Sequence, residues 1–363
     1  MSQTLWLKLP HGEYPVVVGQ DLLTTLPHWP DGGEAPKALI LVDQAVSALA
    51  DPLEAELQHR GWATARLSVP VSEDFKQLDA LMEVYGALLD LKATRESILV
   101  AIGGGVIGDA AGFVAATYQR GIRWVGVPTT LLAQVDSALG GKTAVNHPRG
   151  KNLIGAFHQP SLVLSDPACL NTLPERDRIS GLGEIVKYAL TYSPEFLTEL
   201  EQHWRRLLAL DPAVLVPAVA RCCELKLQAV AADEHDVLGI REVLNFGHTF
   251  GHALEAATAY GAFRHGEAVL WGMRFAVKLS QVCGHLPEAQ ALRLLTLLWQ
   301  IPVPPLPALA WPVLRNHIKH DKKARGNRVR WVLLQDVGQV YLDLDVPEAA
   351  LEQVWVSINH PGS

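Results

Sequence analysis

The chain has 363 residues, 49% of them hydrophobic and 19% charged, with a formal net charge of −7. That length predicts two domains with room for a sizeable core, and the composition excludes a disordered chain. The acidic balance, without a block of five or six like charges, argues against nucleic acid as the main partner; a local gathering of basic residues leaves an anionic small substrate open.

The first residues, MSQTLWLKLPHGEYPV, lack a charged segment followed by an apolar one, so no signal peptide is expected. No apolar run approaches the ~20 residues that span a bilayer. A cytoplasmic protein without a membrane partner is the expectation. Cys169, Cys222, Cys223 and Cys283 form no CxxC pair and read as reduced, packed thiols.

The first half alternates strands with helices. KALILVD (Lys37 to Asp43) is an apolar run ending in an acid, followed by a helical stretch through Arg60. WATARLSV is the next strand, Phe75 to Leu91 the next helix, and Ser97 to Ile102 and Trp124 to Thr130 two further strands. This alternation predicts an α/β domain with a parallel sheet covered on both faces. Ligands of such sheets bind beyond the carboxyl ends of the strands.

After SILVAI comes Gly103-Gly104-Gly105-Val106-Ile107-Gly108-Asp109 and then a helical segment. Gly103, Gly105 and Gly108 satisfy G-x-G-x-x-G in the strand-to-helix setting, where backbone N–H groups and a helix N-terminus hold a pyrophosphate. Close packing alone would also explain such glycines. The usual fingerprint expects a ribose-binding acid about 20 residues on, but Pro128-Thr129-Thr130 stands there. Asp43, at the end of an earlier strand, is the better candidate, so the layout departs from the common dinucleotide fold.

Beyond Thr130 the chain gathers Asp136, Ser137, Lys142, Thr143, Asn146, Arg149, Lys151 and Asn152 among Gly140, Gly141 and Gly150. A solvated loop is the plain reading. Lysines in a glycine-rich stretch directly after a nucleotide fold favour an anion site.

From about Pro174 the periodicity becomes helical, through GLGEIVKYAL, PEFLTELEQHWRRLLAL, PAVLVPAVARCCELKLQAVAADE, GHTFGHALEAATAY and GEAVLWGMRFAVKLSQVCG. RVRWVLLQDVGQVYL resembles a hairpin and PEAALEQVWVSI a last helix. The expected division is residues 1–173 as an α/β nucleotide-binding domain and 174–363 as a mainly α-helical metal- and substrate-binding domain.

Within that half, Glu184 and Lys187 lie three apart on one helix face, a spacing that an exposed salt pair would also explain. His248 and His252 lie four apart and stack on one face; solvent-facing histidines would look the same. Glu184, His248 and His265 together make a carboxylate and two imidazoles, a set that suits Zn²⁺ with an open position. Spacing alone leaves their convergence open.

Taken in order, GGGVIGDAAGF, VPTTLLAQVDSALGGKTAVN, KNLIGAFHQP, GLGEIVKY, KLQAVAADE, REVLNFGHTFGHALE and HGEAV closely resemble the 3-dehydroquinate synthase family of sugar-phosphate cyclases. The likeness runs from about Lys37 to Asp321-Lys322-Lys323. It implies a Rossmann-like NAD domain, a helical Zn²⁺ (or Co²⁺) domain, an active site between them and a homodimer.

Carried over position by position, the resemblance implies Glu184, His248 and His265 as metal ligands. Asp43, Glu73, Lys76, Gly103, Gly104, Gly105, Val106, Ile107, Gly108, Asp109, Thr129, Thr130, Asp136, Ser137, Lys142 and Lys151 fall where the family binds NAD. Arg120, Asp136, Lys142, Asn152, Lys187, Lys226, Arg241, Asn245, His252 and Lys322 fall at substrate positions, Arg120 reaching into the partner subunit's site. Lys142, Lys187, Lys226, Arg241, Asn245 and His252 are the implied catalytic set.

Two departures stand out. Val71-Ser72-Glu73 and Phe75 replace the usual Asp-Gly-Glu and Tyr, which touches only the rim of the adenosine pocket. The segment between Asp233 and Arg241 is one residue longer than usual.

The implied reaction cyclises 3-deoxy-D-arabino-heptulosonate 7-phosphate to 3-dehydroquinate with loss of phosphate. It proceeds by transient oxidation at C5, elimination, re-reduction, ring opening and aldol closure. The alternatives are a sister cyclase making deoxy-scyllo-inosose or a valiolone, a glycerol-type metal-dependent dehydrogenase, and a silent NAD-binding module.

Overall fold

The structure, a computed structural model, describes residues 2–321 and 329–359, with the side chains of 320 and 321 left aside. Lys322, one of the expected substrate residues, lies outside the described residues. The chain divides into two compact units, Met1–Pro174 with Leu210–Val237, and Glu175–Ala209 with Leu238–Ser363.

The first unit is built on a seven-stranded sheet. Its strands are β1 (Gln3–Leu9), β2 (Gly12–Val18), β3 (Lys37–Asp43), β4 (Ala63–Val69), β5 (Ile98–Gly103), β6 (Arg123–Pro128) and, after a separate hairpin, β9 (Leu162–Ser165). That hairpin is β7 (Lys142–His147) and β8 (Gly150–Phe157). The sheet order is β1-β2-β9-β6-β5-β3-β4, parallel throughout except for the β1–β2 pair.

Helices α1 (Leu22–Thr25), α2 (Ala50–His59), α3 (Leu78–Asp90) and α4 (Gly105–Thr117) complete this part. Successive side chains of a strand point to opposite faces, and both faces here are buried. Leu39 and Leu41 pack with α3 and α4, whereas Ala38, Ile40 and Val42 pack with α1 and α2. A strand covered on both sides reads as a continuous apolar run, which is why KALILVD predicts β3 so directly.

From β3 the chain steps outward to β4 and then returns to β5 on the other side of β3. That reversal is a topological switch point, the place where such sheets hold ligands. Asp43 ends β3 and Gly103 ends its neighbour β5.

The expected helix from Phe75 resolves into a 3₁₀ turn, Glu73–Lys76, followed by α3. The polar stretch after Thr130 forms a π turn at Ala133–Ser137 and the β7–β8 hairpin. Where the expected domain division placed everything after 173 in the second domain, the helix Pro212–Ala232 groups with the first unit. The reason is in its side chains: Cys223 Sγ donates to the Gln134 carbonyl at 3.4 Å, and Lys226 Nζ meets Asp136 Oδ1 at 2.6 Å. Helical periodicity identifies a helix but not the core it packs on.

The second unit contains α5 (Glu175–Tyr192), α6 (Pro194–Leu208), α8 (His248–Ala257), α9 (His265–Val282), α10 (Glu288–Gln300), α11 (Trp311–Asp321) and α12 (Glu348–Asn359); Pro212–Ala232, in the first unit, is α7. Ser193 caps α6, its side chain accepting from Phe196 N, and Pro194 occupies the first helical position, where its missing N–H costs nothing. The expected hairpin is present as β10 (Trp331–Asp336) and β11 (Gln339–Asp343). Phe250, Phe275, Trp311, Trp331 and Trp355 form an aromatic core, with the Phe250 and Phe275 rings stacked at 4.5 Å. Among the described residues, no helix is long and apolar enough to cross a membrane.

Candidate nucleotide and metal sites

In the first unit, α4 starts directly beyond β5, and Gly104, in extended conformation, is its N-cap. The free N–H groups and positive end of the helix face the carboxyl edge of the sheet, a ready site for a phosphate. The glycines differ in what requires them. A methyl group on Gly104 would lie 2.9 Å from Thr130 Cγ2, and one on Gly105 3.1 Å from Ser137 Oγ.

On Gly108 a methyl would meet nothing within 4 Å among the described residues. Internal packing therefore explains Gly104 and Gly105 but not Gly108, whose open face on the same cleft leaves room for a pyrophosphate. Gly103, Gly104, Gly105, Gly108, Pro128 and Ser137 line one narrow cleft. Thr129 N donates to the Gly103 carbonyl at 3.0 Å, holding the two loops together. Asp43 Oδ1 accepts from Ala45 N at 2.9 Å, which fixes its carboxylate at the end of β3. These features fit a dinucleotide.

A second group of expected residues surrounds a cleft of about 360 Å³ lined by Asp109, Lys142, Thr143, Asn152, Gly155 and Phe157, among others. Lys76 is buried and donates to Asp109 Oδ2 and Asn152 Oδ1, each at 2.6 Å. Burial pushes the Asp109 carboxyl above its ordinary range, and Lys76 pulls against that shift. Glu73 accepts from Asn146 at 2.7 Å and lies 3.7 Å from Lys151 Nζ.

Lys142 Nζ, a candidate phosphate ligand, pairs with Asp236 Oδ2 at 2.6 Å. Lys226 likewise pairs with Asp136. Arg120 sits exposed on the turn after α4, with Gln119 and Arg120 both at positive φ (53° and 65°).

The second unit brings Glu184, His248, His252 and His265 together. Glu184 and Lys187 are buried and ion-paired, not exposed as the surface-pair reading would have it. Glu184 Oε1 lies 3.5 Å from His248 Nε2 and 3.7 Å from His265 Nε2. Ligands about 2.0–2.2 Å from a tetrahedral zinc are roughly 3.3–3.6 Å from one another, so both distances from Glu184 are close to that spacing. Glu184 Oε1 is fully buried with no hydrogen-bond partner among the described residues. A buried, unbonded carboxylate oxygen is costly unless a cation meets it.

The imidazoles are held for the same purpose. His248 Nδ1 lies 3.2 Å from the Phe246 carbonyl and His265 Nδ1 3.3 Å from Glu255 Oε2, so an N–H on each Nδ1 leaves Nε2 free to ligate. Burial, with help from Lys187, His265 and His252, pushes His248 well below the ordinary histidine range, the neutral form a metal requires. His265 is also depressed by burial, but its bond to Glu255 and the charge of Glu184 outweigh that and raise it overall.

His252 completes a cluster in which one nitrogen from each of His248, His252 and His265 lies within 4.8 Å of the others. Its ring centroid is 5.3 Å from that of His248 and 5.8 Å from that of His265. Burial raises the Tyr192 phenol while Lys187 and Arg241 lower it, so these two cations share its neighbourhood. Asn245 is exposed at the end of the turn Ile240–Asn245 that leads into α8. The residues fit a divalent metal.

Glu255 was not anticipated from the sequence. On α8 it looks like a surface acid, and its partner His265 lies on the next helix, so only the packing of α8 on α9 reveals the pairing.

Solved structures share this architecture. The chain superposes on 2-deoxy-scyllo-inosose synthase complexed with carbaglucose-6-phosphate, NAD⁺ and Co²⁺ at a TM-score of 0.87, with 26% identity and coverage of 97% of this chain and 99% of that one. For 2-epi-5-epi-valiolone synthase from Streptomyces hygroscopicus subsp. jinggangensis 5008, with NAD⁺ and Zn²⁺ bound, the values are 0.84, 29%, 97% and 98%. A glycerol dehydrogenase from Schizosaccharomyces pombe, at 16% identity and a TM-score of 0.66, shares the fold alone, with 95% of this chain and 88% of that one covered. The fold is thus that of the sugar-phosphate cyclases.

The family models "3-dehydroquinate synthase N-terminal" and "3-dehydroquinate synthase C-terminal" match residues 66–180 and 181–324. A 3-dehydroquinate synthase from Laribacter hongkongensis (strain HLHK9) is 44% identical over 361 residues, 97% of this chain and 98% of that protein. One from Shewanella sp. (strain MR-4) is 40% identical over 356 residues, 98% and 99% of the two chains. The chain belongs to the 3-dehydroquinate synthase family.

Proposed function

We propose that the chain converts 3-deoxy-D-arabino-heptulosonate 7-phosphate to 3-dehydroquinate and phosphate, as a carbon–oxygen lyase of aromatic amino acid biosynthesis. We infer that it does so as a cytoplasmic homodimer. The observation that carries this reading is the buried Glu184 carboxylate facing His248 Nε2 and His265 Nε2, with Lys187 and His252 beside it. Relatives at 39–44% identity carry the synthase name, against 26–29% for the scyllo-inosose and valiolone cyclases.

NAD, when bound at Asp43, Glu73, Lys76, the Gly103–Asp109 loop and Thr129–Thr130, supplies a hydride acceptor that is regenerated in the same turnover. A divalent metal, Zn²⁺ or Co²⁺, held by Glu184, His248 and His265 supplies Lewis acidity towards the substrate hydroxyls.

The remaining work falls to side chains. Lys142, Asn152, His252 and Lys322, with Arg120 from a second copy of the chain, hold the phosphate. The incoming phosphate displaces Asp236 from Lys142, exchanging one anion for another at the same ammonium. Lys226 and Arg241 hold the carboxylate, for which a guanidinium offers a bidentate fork. Lys187 and Asn245 bind substrate hydroxyls.

Once C5 is a ketone, the neighbouring C6–H is acidic and phosphate leaves by elimination. The departing phosphate itself takes the proton, so His252 serves as a binding group and not as the base. Ring closure then needs mainly a folded chain, and holding reactants in place supplies several kcal/mol of such a barrier.

The test is direct. Purified protein is incubated with the heptulosonate phosphate, catalytic NAD and Zn²⁺, and phosphate, dehydroquinate and NADH are measured. Equal phosphate and dehydroquinate with no accumulating NADH is expected. Stoichiometric NADH without phosphate would overturn the reading in favour of a dehydrogenase, and turnover of a hexose phosphate instead would favour a sister cyclase.

A further inference from the structure

Each expected metal ligand has a glycine as its immediate chain neighbour: Gly183 before Glu184, Gly247 before His248, and Gly266 after His265. All three lie where one helical segment meets another backbone to backbone. A methyl group on Gly183 would lie 2.6 Å from the Gly266 carbonyl oxygen, and one on Gly266 would collide with the Ser180 backbone. Thus α5 and α9 touch at the residues next to Glu184 and His265, with no side chain separating them there.

The second contact is built the same way. A methyl group on Gly247, which has φ +79°, would lie 2.9 Å from both Met273 N and the Val269 carbonyl oxygen. On Gly272 it would collide with the Gly247 carbonyl. Ordinary helix pairs are held about 8–10 Å apart by interlocking side chains, a spacing that side-chain rearrangement can adjust. Backbone against backbone has no such slack.

Two polar ties reinforce the first contact. Gly266 N donates to Ser180 Oγ at 2.9 Å. Arg176, on α5, donates to both oxygens of the buried Glu267 on α9, at 2.8 and 2.6 Å, and Glu267 also accepts from Arg264 N at 2.8 Å. One tie lies four residues before Glu184 in the chain, and the other joins the residue two after His265.

We propose that Gly183, Gly247 and Gly266 are positioning residues that fix the spacing of Glu184, His248 and His265, with Ser180 and the Arg176–Glu267 pair locking the α5–α9 contact. This rests on the metal reading of the site. The magnitudes support it: moving a Gly183 methyl from 2.6 Å to the 3.4 Å at which ordinary contact begins requires a displacement of about 0.8 Å. Metal–ligand distances tolerate about 0.2 Å. The Glu184-to-His265 edge would therefore open well beyond what a bound ion accepts.

The experiment titrates Co²⁺ alone into metal-free full-length protein, reading the dissociation constant and the visible absorption spectrum. It compares wild type, Gly183→Ala, Ser180→Ala, Leu279→Ala and His265→Ala. Leu279 is buried on α9, about 21 Å along the helix from His265, so its truncation loosens the core without touching the site.

Gly183→Ala should bind Co²⁺ about 10–100-fold more weakly, with an altered spectrum, as when a group supporting a ligand is lost. Ser180→Ala adds no bulk and removes only the bond to Gly266 N; it should weaken binding a few-fold in the same direction, and it decides the matter should Gly183→Ala not fold. Leu279→Ala should bind as wild type does. Wild-type binding that survives His265→Ala would refute the metal reading itself. Wild-type affinity and spectrum in both Gly183→Ala and Ser180→Ala, with binding lost only in His265→Ala, would leave the metal site standing and overturn the positioning role.

Discussion

The two candidate sites are made in opposite ways. The nucleotide loop is local: one strand, one turn and one helix place Gly103 to Asp109 together, and the groups on offer are largely backbone N–H. The metal cluster is non-local, with Glu184 on α5, His248 on α8 and His265 on α9, and all its donors are side chains. A backbone site depends on where a Cβ is absent; a side-chain site depends on which helices are held together. Substitutions should therefore separate the two sites by the kind of damage they do.

The largest effect belongs to the ligands. Glu184→Gln keeps the size of the side chain but removes its charge, and His248→Ala removes a donor. Each should lower turnover on the order of a thousandfold, the loss of several kcal/mol of Lewis-acid stabilisation. NAD affinity, measured by fluorescence titration, should stay within about twofold in both, since the proposed cofactor cleft lies in the other unit. Next comes Glu255→Ala, which frees the His265 ring: metal affinity should fall about 10–100-fold, with NAD binding again unchanged.

Gly108→Ala is the sharpest reversal. In the interior of α4, alanine in place of glycine stabilises by about 0.5–1 kcal/mol, and the methyl meets nothing within 4 Å among the described residues. The melting temperature should rise while NAD binding weakens about tenfold or more. Gly104→Ala, whose methyl would press on Thr130, should instead lower the melting temperature as well as the affinity. A Gly108→Ala variant with unimpaired NAD binding would remove the loop from the cofactor site.

The smallest effect concerns the thiols. Burial pushes Cys169 and Cys223 up to about 12, so near pH 8 roughly one molecule in ten thousand carries the thiolate. Iodoacetamide should leave both unmodified in the native protein and label both after unfolding, as counted by mass spectrometry.

How much of this was legible beforehand follows from burial. The central strands β3, β5 and β6 were readable because both faces are covered and the apolar run is unbroken, with β3 spanning Lys37–Asp43 as expected, whereas β9, only four residues long, went unread although it is just as buried. The β7–β8 hairpin was not, since its outward residues, including Leu153 and Phe157, break the usual alternation and its glycines resemble a loop. The first hairpin, β1–β2, went unread because HGEYPV, with Pro15 in the strand, carries a turn signal rather than a strand signal.

In the metal site, the four-residue step from His248 to His252 was visible on a helix. The burial of Glu184 was not, because an acid and a lysine three apart look the same on a wet face as in a core. The return of α7 to the first unit was hidden for a related reason: what decides it is the contact of Cys223 with Gln134 and of Lys226 with Asp136.

The central claim, that Glu184 and not His252 is the third ligand beside His248 and His265, is tested most directly by anomalous diffraction at the zinc edge from crystals of the zinc-loaded protein. One strong peak should appear about 2.0–2.2 Å from a Glu184 oxygen and from Nε2 of both histidines, with His252 outside the coordination sphere. A peak coordinated by the three histidines, with Glu184 left paired to Lys187, would contradict it.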